Sequence, residues 1–250
     1  MYEGVYRLAD VPVQITSLYD EVQVMCAPYS TTDAPQLHIV TTVEDIEAEG
    51  HKSDEERRQE GLPEYHFPEP YLETLAVYRQ LATELLAKGV LLIHGSVIAV
   101  DGEAYLFTAL SGTGKSTHVR LWRELFGERA VMVNDDKPLV GVRSDHSSPN
   151  TSVPLVFGTP WDGKHHLSTN TSAPIKAFCS LRRGETDHIE PMAPEQAFAA
   201  LLQQAHRPPD ATALTQTLQI IDNLTKHASA YLLHCTPTPY AARLAYNTMK

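Results

Sequence analysis

Ser111-Gly112-Thr113-Gly114-Lys115-Ser116-Thr117 is the stretch whose reading decides the fold. It follows the apolar run Ala104–Leu110 and opens the helix-like run His118–Phe126. A strand, a glycine-rich turn and a helix start in that order make a phosphate cradle, because consecutive backbone N–H groups and the positive end of the helix dipole converge on one anion. Gly112 and Gly114 let the backbone fold tightly with no Cβ in the way. Ser111, Thr113 and Thr117 complete the cradle, Lys115 reaches β/γ-phosphates, and the Ser116 hydroxyl takes one position on Mg²⁺. The pattern reserves a glycine for position 109, where this chain has Ala109.

Just upstream, Val90–Val100 is apolar, Asp101-Gly102 is a two-residue hairpin turn, and Glu103–Leu110 is the strand that enters the loop. A type I′ turn sets Val100 opposite Glu103. Carried down the ladder, that register sets His94 opposite Ala109 at the mouth of the loop. Two readings of His94 follow: an imidazole beside bound phosphates, or a ring packed at a strand end and satisfied by backbone. A bulge near Gly95 would re-aim it. In doubly wound nucleotide-binding folds the loop strand belongs to a parallel sheet; an antiparallel partner directly before it makes this sheet mixed.

Downstream, the helix from Lys115 stops at Gly127 and buries Val119, Trp122 and Phe126. Ala130–Val133 is a short buried strand that runs into Asn134-Asp135-Asp136-Lys137. Two carboxylates at a strand end behind such a loop suit a metal ligand and a base that orients a hydroxyl. Pro138–Val142 and Ser152–Phe157 read as strands around a polar loop. In the turn-rich segment Gly158–His166, Lys164 is either held against a phosphate or exposed on a surface turn. His165-His166 is not a metal site, since adjacent side chains diverge and no third ligand stands out. Ala173–Leu181 reads as a strand, Arg182-Arg183-Gly184-Glu185 as a turn and His188–Met192 as its return. One of these arginines, Arg183 in particular, suits a phosphate or an acidic substrate. Pro194–His206, Asp210–Lys226 and Tyr240–Met249 read as helices, and Ala228–Cys235 as a strand.

The first part of the chain is plainer. Val11–Ile15 and Leu37–Thr42 read as strands, and the strongly acidic stretch Glu44–Glu60 as a solvated loop or exposed helix. Pro68–Gly89 reads as an amphipathic helix that buries Tyr71, Leu75, Tyr78, Ala82 and Leu85. A small α+β lobe over residues 1–67 and a larger α/β domain over 68–250 follow. The chain has 250 residues, 42% hydrophobic and 20% charged, with a net charge of −11. That charge disfavours nucleic acid and anionic membrane as partners. No signal peptide or membrane-spanning run is read, and three scattered cysteines suit reduced thiols in a cytoplasmic protein.

From Leu92 to Val140 the chain resembles the HPr kinase/phosphorylase family, which shares its core with the phosphoenolpyruvate carboxykinases. The resemblance rests on Ile93-His94-Gly95, the loop Ser111–Ser116 after an antiparallel hairpin, and Asn134-Asp135-Asp136. It implies a mixed-sheet α/β kinase core, His94 as a phosphate-side group, Asp135 as the base and Asp136 as a metal contact. The whole chain looks most like the small serine-kinase-like branch, which includes enzymes that modify ribosomally made peptides. It lacks the Glu-Ile-Arg-Gly type motif of the phosphorylases, and it is shorter than the carboxykinases.

Three functions are compatible with these residues. One is an ATP- and Mg²⁺-dependent kinase acting on a protein or peptide hydroxyl, with serine foremost. The second is a small-molecule kinase. The third is a nucleotide-binding regulatory module without phosphotransfer. A homo-oligomer is compatible with any of them.

Overall fold

A turn sets the first sheet. Ala9 and Asp10 both sit at positive φ, 49° and 65°, as a type I′ hairpin requires. Strands β1 (Tyr2–Leu8) and β2 (Val11–Ser17) therefore pair antiparallel with Leu8 opposite Val11, and β3 (Leu37–Val40) adds to β2 in parallel. The computed structural model describes residues 1–250 except 60, 64, 111, 146, 147 and 164, and the backbone alone at 144, 145 and 148–151. The chain divides into two units, Met1–Glu84 and Leu85–Lys250.

In the first unit, the short helix α1 (Glu21–Cys26) lies between β2 and β3 in the chain. The acidic stretch is helix α2 (Val43–Gln59), and α3 (Glu69–Leu86) follows, its last two residues belonging to the second unit. Along α3, Tyr78, Ala82 and Leu85 are buried as the apolar pattern expects, but the first turns are phased differently. Tyr71 is 43% exposed, whereas Leu72, Glu73, Ala76 and Val77 are buried. The reason is Glu73: its carboxylate accepts the Leu18 and Tyr19 N–H groups at 2.6 and 2.9 Å and the Thr41 hydroxyl at 2.5 Å. A buried charge turned inward for those donors carries its helix face with it.

The second unit is a three-layer α/β structure. Its strands are β4 (Val90–Leu92), β5 (Ser96–Val100), β6 (Glu103–Thr108), β7 (Ala130–Asn134), β8 (Leu139–Asp145), β9 (Ser148–Phe157), β10 (Ser172–Arg183), β11 (His188–Pro191) and β12 (Ser229–Cys235). Along one path the order is β4-β8-β9-β10-β6-β5-β7, with β12 pairing both β10 and β11. β6 is antiparallel to β5 and parallel to β10, so the sheet is mixed, as the hairpin requires. Asp101 and Gly102 take φ of 53° and 85°, and Val100 faces Glu103. β5 is antiparallel to β7 as well, so β6 and β7 run the same way and end on one edge.

Side chains alternate across this sheet. Val97, Ala99, Ala104 and Leu106 face a core shared with α5 (Pro194–Gln204) and α6 (Ala211–His227). Ile98, Val100, Tyr105 and Phe107 face the opposite core, shared with α4 (Lys115–Phe126) and α7 (Pro239–Met249). Trp122 is fully buried there against Tyr105, Phe107 and Tyr246.

Three expectations are corrected. The apolar run Val90–Val100 is two strands in different pairings, β4 with β8 and β5 with β6 and β7. His188–Met192 is not the hairpin return of β10, because β12 lies between β10 and β11 and takes the parallel edge of β10. The polar stretch after Val142 is largely strand, since β8 and β9 stay paired through Asp145 and Ser148. No described helix is long and apolar enough to cross a membrane.

One buried group makes stability depend on pH. His118, only 3% exposed, accepts the Trp122 indole N–H at its Nε2, 3.0 Å away. Burial pushes its pKa from the ordinary 6.5 down to about 4. The folded value lies below the unfolded one, so protons favour the unfolded chain between them. The contribution of neutral His118 is present above about pH 6.5 and is lost as pH falls through about 4, a swing of roughly 3 kcal/mol at 1.36 kcal/mol per unit. Urea midpoints recorded from neutral pH to about pH 4 should fall for the native chain and flatten for His118→Gln, which keeps an acceptor for Trp122.

Candidate active site

At the end of β6 the chain turns through Ala109 and Leu110 into the glycine-rich loop. Gly112 and Gly114 take φ of 74° and 114°, and a Cβ on either would meet nothing within 4 Å. Glycine is needed there for backbone conformation, not for space. Ala109 is not among the positive-φ residues, so that position tolerates an L side chain. Thr113 N–H donates to Leu110 O at 3.2 Å, and α4 begins at Lys115, with His118 N–H bonded to Gly114 O at 2.9 Å. Gly114 at the N-cap supplies no side-chain acceptor. The first-turn N–H groups therefore point outward for an anion to take.

Lys115 reaches from this loop to His94, Nζ to Nε2 at 3.0 Å. The same Nε2 lies 3.3 Å from Asp136 Oδ1. The hairpin register does not carry His94 there, for the ladder ends at Ser96. Instead His94 N–H donates to Gln204 O at 2.8 Å and Gly95 N–H to Asp136 O at 2.9 Å, which swings the segment onto the end of β7. One nitrogen cannot accept from Lys115 and donate to Asp136 at once. The ring accepts from Lys115 in one protonation state and donates from Nε2 to Asp136 in the other, and the lowered pKa of Asp136 belongs to the second. Burial lowers the Lys115 pKa, opposed by the charge of Asp136. Burial also raises that of Asp136, but His94, Lys137 and Lys115 outweigh it and hold the carboxyl below its ordinary value.

Asp135 turns the other way. It is 8% exposed, its Oδ1 accepts the Gly163 N–H at 2.6 Å, and it lines a groove with Ser116. Burial raises its pKa, against the Gly163 N–H, and the charges of Asp162 and Asp136 add to the rise. A Cβ at Gly163 would lie 2.8 Å from Asp135 Oδ2, so glycine is required for this approach.

Asn134 holds the two aspartates apart, and the motif reading passed over it. Fully buried, its Oδ1 accepts the Asp136 and Lys137 N–H groups at 2.9 and 2.7 Å. Its amide donates toward Thr159 O, Thr159 Oγ1 and Trp161 O at 3.2, 3.0 and 3.3 Å. Such an Asx turn ends the strand and starts the next bend. The signal was present as an Asn before a charged pair, but its partners lie far along the chain.

Arg183, at the end of β10, directs its guanidinium to the loop backbone: Nε is 3.4 Å from Thr113 O, and the terminal nitrogen bonds Gly112 O. Arg182 lines a cavity of about 830 Å³ on the α5 side of the loop, with Thr113, Ser180, Glu190 and Gln203. Thr117 lines a separate cavity of about 290 Å³ with Leu121, Thr236 and Pro237. Ser111 and Lys164 lie outside the described residues. His94, Lys115, Ser116, Asp135 and Asp136 thus come from three separate segments to one edge of the sheet.

The family described as SynChlorMet cassette protein ScmC matches residues 71–236. That is well over half of the chain, which belongs to this family. No curated protein matches it. Among solved structures, the HPr(Ser) kinase/phosphatase from Coxiella burnetii aligns at 12% identity with a TM-score of 0.33, covering 63% of this chain and 95% of that one.

Replacing Asn134 by Ala removes both halves of this bracket and leaves buried donors and acceptors without partners. Urea denaturation should show a loss of roughly 2–4 kcal/mol.

Proposed function

We propose, taking membership of the ScmC family as the premise, that this chain is an ATP- and Mg²⁺-dependent kinase whose acceptor is a hydroxyl, foremost a serine of a protein or peptide. The observation that carries the reading is the convergence on one glycine-rich loop of Lys115, His94 and Asp136 within 3.0 and 3.3 Å steps. A decayed or purely structural loop has no need of a half-buried lysine, an imidazole and two separately aimed carboxylates at its mouth.

The residues fit a magnesium triphosphate. The first-turn N–H groups and Lys115 would take the β- and γ-phosphates, and Arg183 braces the loop from behind through the Gly112 and Thr113 carbonyls. The cavity that Thr113, Gly114 and Thr117 of the loop share with Thr236 and Pro237 would take the nucleoside. Among the described residues no group of three or more His, Cys, Asp or Glu could hold a metal alone. Magnesium suits such a site, since it is commonly held by one or two carboxylates together with substrate phosphates and water. Ser116 and Asp136 would be its protein ligands, and when bound it neutralises charge on the phosphates.

Asp135 is the base. It takes the proton of the acceptor hydroxyl as that oxygen bonds to the γ-phosphorus, and the bond from that phosphorus to the β,γ-bridging oxygen breaks to release ADP. Its raised pKa strengthens it as an acceptor, while Asp136, held ionised, suits a cation. Asp135→Asn should retain Mg·ATP affinity and slow transfer by about 10²–10⁴-fold. Asp136→Asn should instead raise the Mg²⁺ concentration needed for turnover. Swapped outcomes would reverse the two roles.

The same assignment sets the pH dependence. Asp135 must be ionised to act, and its pKa lies above the ordinary carboxylate value. The acid limb of kcat/KM for Mg·ATP, which reports the free enzyme, should therefore sit above that ordinary value, with activity lost as pH falls through it. Labelling with γ-labelled ATP in extracts of the source cell tests the reading as a whole. It expects a labelled acceptor with the native chain and none with Lys115→Ala. Saturable ATP binding with no acceptor in any fraction would favour a regulatory module.

A further inference from the structure

Beside the catalytic edge lies a groove of about 290 Å³ that the kinase reading leaves without an occupant. Its inner end is formed by Asp135 and Ser116. Its floor is apolar, with Val119 of α4, Met132 of β7 and Leu167. Its rim is basic: Arg120 and Arg123 from α4 and His165 from the facing segment. Positions 116, 119, 120 and 123 recur at helical spacing, so one face of α4 forms one wall.

Charge makes the groove specific. The chain carries a net −11, yet this rim presents two guanidinium groups and no carboxylate beyond Asp135 among its lining residues. Arg120 pairs with Glu124 on its own helix, and both side chains are more than half exposed. Such an exposed pair is worth little and yields readily to a better partner. Arg123 makes no ion pair among the described residues and is exposed. A volume at the lower bound of small-ligand pockets suits a few side chains of a segment laid along α4.

We propose that this groove binds the acceptor as an extended peptide, with its hydroxyl residue against Asp135 and an acidic residue held by Arg120 and Arg123. From Ser116 to Arg123 the helix rises about 10 Å, which an extended chain covers in about three residues. The acidic residue therefore stands two or three positions from the hydroxyl. This rests on the kinase reading and adds the acceptor class and its spacing.

The test uses the full chain, Mg·ATP and two serine peptides that differ only in an acidic or a glutamine residue three positions from the serine. Native chain should favour the acidic peptide in kcat/KM by roughly 2–30-fold, the range for two exposed ion pairs. Arg120→Gln with Arg123→Gln should abolish that preference, with the urea midpoint reporting that the variant folds. Arg123→Glu should reverse it toward a peptide bearing lysine at that position. Equal rates on the two peptides, or a preference that survives the arginine changes, would overturn the inference. So would transfer to neither peptide by a chain that labels another acceptor, an outcome that leaves the kinase reading standing. No labelled acceptor at all, with Mg·ATP bound, would bring down the kinase reading and this inference with it.

Discussion

Gly95 is the point through which the site is held together. Its N–H donates to Asp136 O, and a Cβ there would lie 3.0 Å from Phe107 O. That close approach lets the chain leave β4, pass the end of β7, and enter β5 with no side chain in the way. His94, one residue earlier, is delivered to the loop that β6 feeds, while Asp136 is tied to the same backbone. A Cβ at position 95 would press on the Phe107 carbonyl, which would have to give by a few tenths of an ångström, in the segment that carries the imidazole and is tied to Asp136.

Around that point the charges are arranged in opposition. Lys115 and Asp136 are each half-buried, and the loss of water disfavours the charge of both. Each is made tolerable by the other, with His94 between them. Asp135, a single residue away, has no cation of this kind among the described residues and is met by the Gly163 N–H and the like charge of Asp162. Two adjacent aspartates are therefore driven apart in acidity by their surroundings, the circumstance in which neighbouring carboxylates take different roles.

Much of this was legible in the chain itself, and what was missed has a common cause. The hairpin, the loop and the helix after it are local, since Asp101-Gly102 and Gly112-x-Gly114 specify backbone conformations that few residues adopt. The mixed sheet followed from the hairpin alone. The break at Ile93-His94-Gly95 was hidden because Val90–Val100 is apolar throughout, and the reason to break lies in the Gln204 and Asp136 carbonyls. The position of β12 between β10 and β11 was hidden for a similar reason. A turn after β10 suggests a return, but parallel pairing with a strand some fifty positions on, as in Leu181 with Leu233, leaves no local mark. Glu73 and Asn134 are the polar version of the same problem: a buried side chain is defined by donors and acceptors that the neighbouring sequence does not contain.

The separation of the Asp pair shows how far a strand rule reaches and where it stops. Successive side chains on a strand face opposite ways, which alone would aim Asp135 and Asp136 apart. But β7 ends at Asn134, so neither aspartate is held by a sheet ladder. Their divergence is maintained instead by Asn134 from behind, by Gly163 in front of Asp135, and by Gly95 and His94 beside Asp136. Side chains held this way answer to the loops that hold them. The segment through Gly163 carries Asp162, which accepts the Ser168 N–H at 3.2 Å and pairs with His166 at 2.9 Å. It also forms one wall of the groove, through His165 and Leu167. A ligand entering that groove meets the same segment that positions Asp135.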